Sequence, residues 1–179
     1  MLTKKVSRYK LVETIANIPA CTIAMEACSG ANHWYRKFSS FGHEVKIINP
    51  QFVKPFVKTN KNDFNDAEAI CEAASRPSMR FVTPKTIEQE DLQAVHRIRS
   101  RLVEERTALI NQTRGLLAEY GIVIPQGINN VRKKLPEILE DGENELSARG
   151  RELFADLYEE LCKKDKRVDT YDAKLNVIF

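Results

Sequence analysis

The spacing of apolar positions changes character part-way along this chain. Over residues 4–17 basic and apolar side chains alternate at helical spacing, with Val6, Leu11 and Ile15 on one side and Pro19 closing the pattern. Residues 21–26 form a short, mostly apolar run that predicts a buried strand, broken at Ser29-Gly30. A helix is expected from about residue 31 to 41, with Trp34, Phe38 and Phe41 on its apolar side and Gly42 as its stop. Residues 44–49 predict a second strand, ended by Pro50. Two short strands joined through a helix point to a parallel βαβ unit. Phe52, Phe56 and Val57 fall on a short basic helix or turn that Pro55 interrupts. Residues 64–75 predict another helix, stopped before Pro77, and Arg80-Phe81-Val82 a third strand.

Beyond residue 86 the pattern becomes purely helical. From Ile87 to about Tyr120 there is no proline, and Val95, Ile98, Leu102, Leu109 and Leu116 recur at coiled-coil-like intervals, flanked by Val103, Ile110 and Leu117. One long helix is expected, with a seam interrupted by Glu105 and Gln112. Its polar faces carry Arg97, Arg99, Arg101, Arg106 and Arg114, whose roles as solvated, ion-paired or nucleic-acid-binding groups stay open. Pro125 marks a turn between Gly121 and Gly127, and two more helices follow at about 129–141 and 145–166, separated by Asp141-Gly142. The expected fold class is therefore α/β. A partial sheet of about three strands occupies residues 1–85, and an all-α, coiled-coil-like segment occupies residues 86–179.

Composition narrows the function classes. The 179 residues are 42% hydrophobic and 30% charged, an ordinary globular balance. No apolar run reaches the ~18 residues of a membrane helix, and the N-terminus has no apolar signal-peptide core. Cys21, Cys28, Cys71 and Cys162 are scattered and form no CxxC, which argues against a zinc site and for reduced thiols in a cytoplasmic protein. Net charge is +3, but residues 1–61 hold ten Lys/Arg against three Asp/Glu, whereas residues 62–179 hold eighteen against twenty-two. A basic portion leading into a carboxylate pair suits a nucleic-acid surface beside a metal site, although exposed lysines also simply keep proteins soluble.

That pair is Asp63 and Asp66. If a helix begins near Asp63, residues three apart share a face. Paired carboxylates suit a hard cation such as Mg²⁺, which shares oxygen ligands with phosphate. The same residues also serve as N-caps and dipole partners at helix starts. Glu26 stands at the C-terminal end of its expected strand, where ligands gather in open α/β sheets. Three carboxylates converging from Glu26, Asp63 and Asp66 would need a cation to relieve their repulsion, as in two-metal phosphoryl transfer. Alternatively, Glu26 accepts from a nearby backbone N–H or lysine.

Several ordered stretches carry a family resemblance. They are Ala24-Met25-Glu26-Ala27-Cys28, Gly42-His43-Glu44-Val45, Pro50-Gln51-Phe52-Val53-Lys54-Pro55 and Lys61-Asn62-Asp63-Phe64-Asn65-Asp66-Ala67. Later, Arg106-Thr107-Ala108-Leu109-Ile110-Asn111-Gln112, Gly121-Ile122 and Pro125-Gln126-Gly127 continue it. Together they resemble the DEDD-type insertion-sequence transposases, whose N-terminal domain is RuvC-like (RNase H-like), over most of residues 5–165. The resemblance implies that Glu26 matches the family's motif glutamate, and that Asp63 and Asp66 match its final two aspartates. These bind divalent metal, usually Mg²⁺, for DNA strand exchange in transposition. It implies DNA as substrate, a structured guide RNA as partner, and a helical segment that aids assembly into a homo-oligomer. Lys54, Lys58, Asn60 and Lys61 would then lie near the scissile backbone, or else form a solvated basic face.

The sequence departs from the pattern at both ends. The family's first aspartate precedes its glutamate, yet no aspartate precedes Asp63 here, and Glu13 lies in a helical pattern unsuited to replace it. No counterpart of the family's later domain, with a serine proposed to attack DNA, is expected within these 179 residues, since Ser147 falls in a polar interhelical turn. The expectation is a chain truncated at both ends and inactive alone in strand exchange. The alternative is a non-catalytic nucleic-acid-binding module or inhibitor derived from a transposase.

Overall fold

The computed structural model describes residues 4–58 and 62–178, and the chain divides into two compact units, residues 1–86 and 87–179. In the first unit, α1 (Arg8–Ala16) ends where the Asn17 side-chain amide donates to the Glu13 carbonyl, ahead of Pro19. β1 (Thr22–Glu26) follows. Gly30, at φ +86°, takes the left-handed conformation that turns the chain into α2 (Ala31–Ser39). β2 (Glu44–Ile48) returns beside β1 in parallel, with Thr22 opposite Glu44 and Glu26 opposite Ile48. This is the expected βαβ unit. The helical crossover is what makes parallel pairing possible, because a tight turn cannot connect parallel strands.

The expected third strand is reduced to a bridge. Phe81 pairs antiparallel with Ile48, and the Val82 N–H donates to the Ile47 carbonyl at 2.7 Å. Pro77 and Pro84 bracket this stretch, and proline supplies no N–H with which to extend a ladder.

After β2 the Asn49 side chain accepts from the Gln51 N–H at 3.0 Å and Pro50 fills the first helical position, which starts α3 (Pro50–Val53). A 3-10 turn over Lys54–Phe56 continues it. α4 (Asp63–Ala74) is capped by Asn62, whose Oδ1 accepts from Phe64 N–H at 3.0 Å and Asn65 N–H at 2.9 Å. Neither aspartate is therefore the cap. Asp63 and Asp66 occupy the helix's positive end, where their charge is favourable. Ile48, Val53, Ala69 and Ala73 form the core of this unit, and the small side chains of Ala69 and Ala73 let α4 approach closely.

The second unit is helical throughout its regular structure: α5 (Ile87–Ala118), α6 (Ile128–Glu140) and α7 (Ala148–Ile178). α5 packs chiefly along α7, and α6 fits against both. Leu109, Ile110, Leu117, Ile124, Val131, Leu135, Leu146, Phe154 and Leu161 form one core. Leu116, expected in the seam, is 43% exposed, and Leu117 is buried in its stead. Arg151 on α7 closes the end of α6 by donating to the carbonyls of Leu139 at 2.8 Å and Asp141 at 2.7 Å.

Ion pairs cross the same helices. The Asp165 carboxylate on α7 accepts from Arg106 of α5 at 3.1 Å and from Arg132 of α6 at 2.5 Å. Glu105, the charged residue in the seam, accepts from Lys164 at 3.3 Å and from Arg101. Arg99 is held by Asp172, and Arg114 donates to the Ile124 carbonyl at 3.0 Å. Four of the five long-helix arginines are thus engaged within their own unit, whereas exposed Arg97 has no such partner among the described residues.

Candidate active site

A cavity of about 690 Å³ opens at the C-terminal ends of the parallel strands. Glu26 reaches it from the last position of β1. Asn49, Gln51 and Lys54 enter from the segment that follows β2, and Asp66 from α4. Val53, Val57 and Ile70 supply its apolar lining. Asp66 and Ile70 are four residues apart on α4, so they share the face turned to the cavity.

Glu26 and Asp66 are both half-buried, and neither carboxylate has an ion pair or side-chain hydrogen bond among the described residues. Lys54 is exposed and likewise unpaired among the described residues. The cavity therefore presents two uncommitted carboxylates and one uncommitted ammonium.

Asp63 takes a different position. It does not line the cavity, and its carboxylate lies 3.6 Å from the Lys5 ammonium in a pair whose side chains are 84% and 83% exposed. Helix side chains lean toward the N-terminus, so a residue in the first helical position projects off the end of α4 rather than along its flank. Of the three carboxylates expected to converge, Glu26 and Asp66 line the cavity and Asp63 does not. Among the described residues no group of three His, Cys, Asp or Glu side chains is placed to share a metal ion.

Lys58 is committed elsewhere. It donates to Glu68 at 2.9 Å, and that hydrogen bond holds its ammonium pKa above the ordinary lysine value. Asn60 and Lys61 lie outside the described residues. Asn49 and Gln51 line the cavity without having been singled out from sequence. In sequence Pro50 reads as the end of the preceding strand, and nothing in the local pattern shows that the helix it also starts borders Glu26.

The donor set is all oxygen on the carboxylate side. Mg²⁺ is commonly held through one or two carboxylates, with waters and substrate phosphate completing its shell. Glu26 and Asp66 fit that requirement, and Lys54 is suited to the phosphate.

The family model for DEDD transposases of the IS110 type, described as "Transposase", matches residues 3–122. The chain belongs to this transposase family. It is 48% identical over 176 residues to the transposase for insertion sequence element IS1111A of Coxiella burnetii, covering 98% of this chain and 48% of that protein. It is 52% identical over 143 residues to the transposase for IS1328 of Yersinia enterocolitica, covering 80% of this chain and 42% of that one. A probable family 20 transposase of Pseudomonas aeruginosa is 44% identical over 166 residues, covering 92% and 49% respectively. The chain of this family member thus spans about half the length of the curated relatives it matches. No solved structure matches it. No helix among the described residues is long and apolar enough to cross a membrane.

Proposed function

We propose that this chain supplies part of the catalytic machinery for metal-dependent DNA strand exchange in transposition. The carrying observation is the cavity that joins Glu26 and Asp66, unpaired, to Lys54. Glu26 and Asp66 would hold Mg²⁺, which supplies electrostatic stabilisation of charge developing on a scissile phosphate. Lys54 would hold that phosphate by charge, Asn60 and Lys61 would extend the polar approach to it, and Lys58 would join them on leaving Glu68. Asp63 joins the set by its match to the family motif. Its exposed pair with Lys5 is of a kind worth only about 0–1 kcal/mol, so little opposes its recruitment.

Two carboxylates on the cavity give an incomplete site. We therefore infer that residues 1–179 alone leave DNA unrecombined, and strand-exchange product formed by the purified chain with guide RNA and cognate DNA would overturn this. DNA as substrate, a structured guide RNA, a homo-oligomer formed through the helical segment and a cytoplasmic place of action belong to the same proposal. The four free cysteines fit a reducing compartment.

Titration with Mn²⁺, as a reporter for Mg²⁺, tests the site. Glu26→Gln and Asp66→Asn are each expected to weaken Mn²⁺ binding about tenfold or more, and Asp63→Asn to weaken it less. Equal affinity in all four proteins would sink the metal site. The incomplete carboxylate set also favours a second reading, a non-catalytic nucleic-acid-binding module. In that case DNA affinity would be the same with and without Mg²⁺ and unchanged by Asp66→Asn.

A further inference from the structure

The segment Pro50–Phe56 has two sides. Gln51, Val53 and Lys54 face the Glu26–Asp66 cavity, whereas Phe52, Pro55 and Phe56 line a second, separate pocket of about 310 Å³ closed by Ser78, Met79 and Arg80. Its walls are two aromatic rings, a proline and a methionine, and its rim carries a hydroxyl and a guanidinium. Phe52 is 36% exposed although it stands on a capped, proline-initiated turn that could have turned a polar residue outward. One ring is already provided for: the Arg76 guanidinium lies 5.3 Å from the Phe56 ring centre and is itself held by Glu72 at 2.6 Å. Arg80 and the Ser78 hydroxyl, by contrast, have no hydrogen bond or ion pair among the described residues. An open aromatic face next to unengaged donors is the chemistry that receives a flat, hydrogen-bonding ring attached to an anion.

We propose that this pocket takes one unstacked nucleobase of a nucleic-acid strand whose backbone runs on to the Glu26–Asp66 cavity, an inference that rests on the nucleic-acid reading above. The base would lie against Phe52, Ser78 would hydrogen-bond its edge, and Arg80 would pair with its phosphate. Stacking on an aromatic side chain tolerates any base, because every base has a π-face. The short segment between the two sites would then hold one nucleotide in fixed relation to the phosphate beside Lys54. A small second polypeptide is the competing occupant. It is less suited, because the rim sets a guanidinium beside the rings and the surrounding unit is basic, which favours a strand that carries phosphates.

The test is anisotropy of labelled single-stranded oligonucleotides with the full 179-residue chain, using all-base strands and wholly abasic strands of the same length. The wild type is expected to bind the all-base strand more tightly than the abasic one. Phe52→Ala is expected to bind the all-base strand about 5- to 100-fold more weakly and to lose that preference, whereas Phe52→Tyr retains both. Arg80→Ala is expected to weaken all strands alike and to reduce the salt dependence. A Phe52→Ala chain with unchanged circular dichroism that binds as tightly as wild type, with the same preference for the all-base strand, would overturn the pocket alone. A wild-type chain that binds no oligonucleotide would overturn the nucleic-acid reading and the pocket with it.

Discussion

Asp165→Ala removes one carboxylate and leaves two guanidiniums without it. Asp165 on α7 is the meeting point of Arg106 on α5, at 3.1 Å, and Arg132 on α6, at 2.5 Å, so it ties all three helices of the second unit. Its side chain is 16% exposed and that of Arg106 is 18% exposed, whereas Arg132 is 38% exposed and better served by water. The Arg106 Nε already lies buried without a partner, so this guanidinium has no spare hydrogen bond to fall back on. Breaking a buried pair by deleting one partner costs about 3–5 kcal/mol, and breaking an exposed one about 0–1. One nearly buried contact and one half-exposed contact place the expected loss at roughly 2–4 kcal/mol. For a unit of this size that lowers the melting temperature by about 10–25 °C. The assay is urea and thermal unfolding followed by helical circular dichroism, with Glu159→Ala as control. Glu159 pairs with Lys163 at 67% and 68% exposure, where solvent screens the charges, and its loss should leave the unfolding midpoint essentially unchanged. Replacing Arg106, Arg132 and Asp165 together by apolar residues of similar volume should recover most of the loss, because no buried charge is then stranded. An Asp165→Ala chain within about 0.5 kcal/mol of wild type would refute the reasoning.

Three further outcomes are expected. Leu135→Ala, at a fully buried position in the helical core, should cost about 2–5 kcal/mol in the same unfolding assay, whereas Leu116→Ala should cost far less. Asn62→Ala should cost about 1 kcal/mol and, by fraying the start of α4, should speed amide exchange at Phe64 and Asn65. Glu105 gives a pH dependence: partial burial would raise its pKa, but the hydrogen bond from Lys164 and the charge of Arg101 outweigh this and hold it below the ordinary value. Its contribution is therefore fully present above the unfolded glutamate pKa of about 4.3 and lost as pH falls through the lower folded value. Glu105→Gln should flatten the stability profile in that acid range while leaving it unchanged near neutrality in slope.

Where the chain's own periodicity decides structure, the elements lie within a few residues of where the pattern puts them. β1, α2, β2 and α4 are bounded by Gly30, Gly42, Pro50 and Pro77, each a local signal. The phase of α5 was less legible. On an ideal helix with Leu102 at zero, Leu116 falls about 40° to one side and Leu117 about 60° to the other. A seven-residue repeat favours Leu116. The buried set instead spreads from Leu109, about 20° on the first side, through Thr113 to Leu117 and Ile110, about 60° and 80° on the second, because α5 must face both α6 and α7. That choice belongs to partners remote in sequence. α7 also runs to Ile178, well past residue 166, because Val168 is buried and Asp172 anchors Arg99. In the site, Glu26 at a strand end and Asp66 on a helix could be read locally. The separation of Asp63 from Asp66 turns on Asn62 being the cap, which puts Asp63 in the first helical position, while the Lys5 pair and the contributions of Asn49 and Gln51 depend on segments remote from α4.

The engagement of the long-helix arginines bears on how fragments of this protein should be handled. α7 behaves as a fixed counterion to its neighbours: Asp165 and Asp172 neutralise Arg99, Arg106 and Arg132 in place. A fragment ending before Ala148 would release those guanidiniums together with the apolar stripe they border. It would gather polyanions indiscriminately, and a gel shift obtained with it would report unmasked charge rather than recognition.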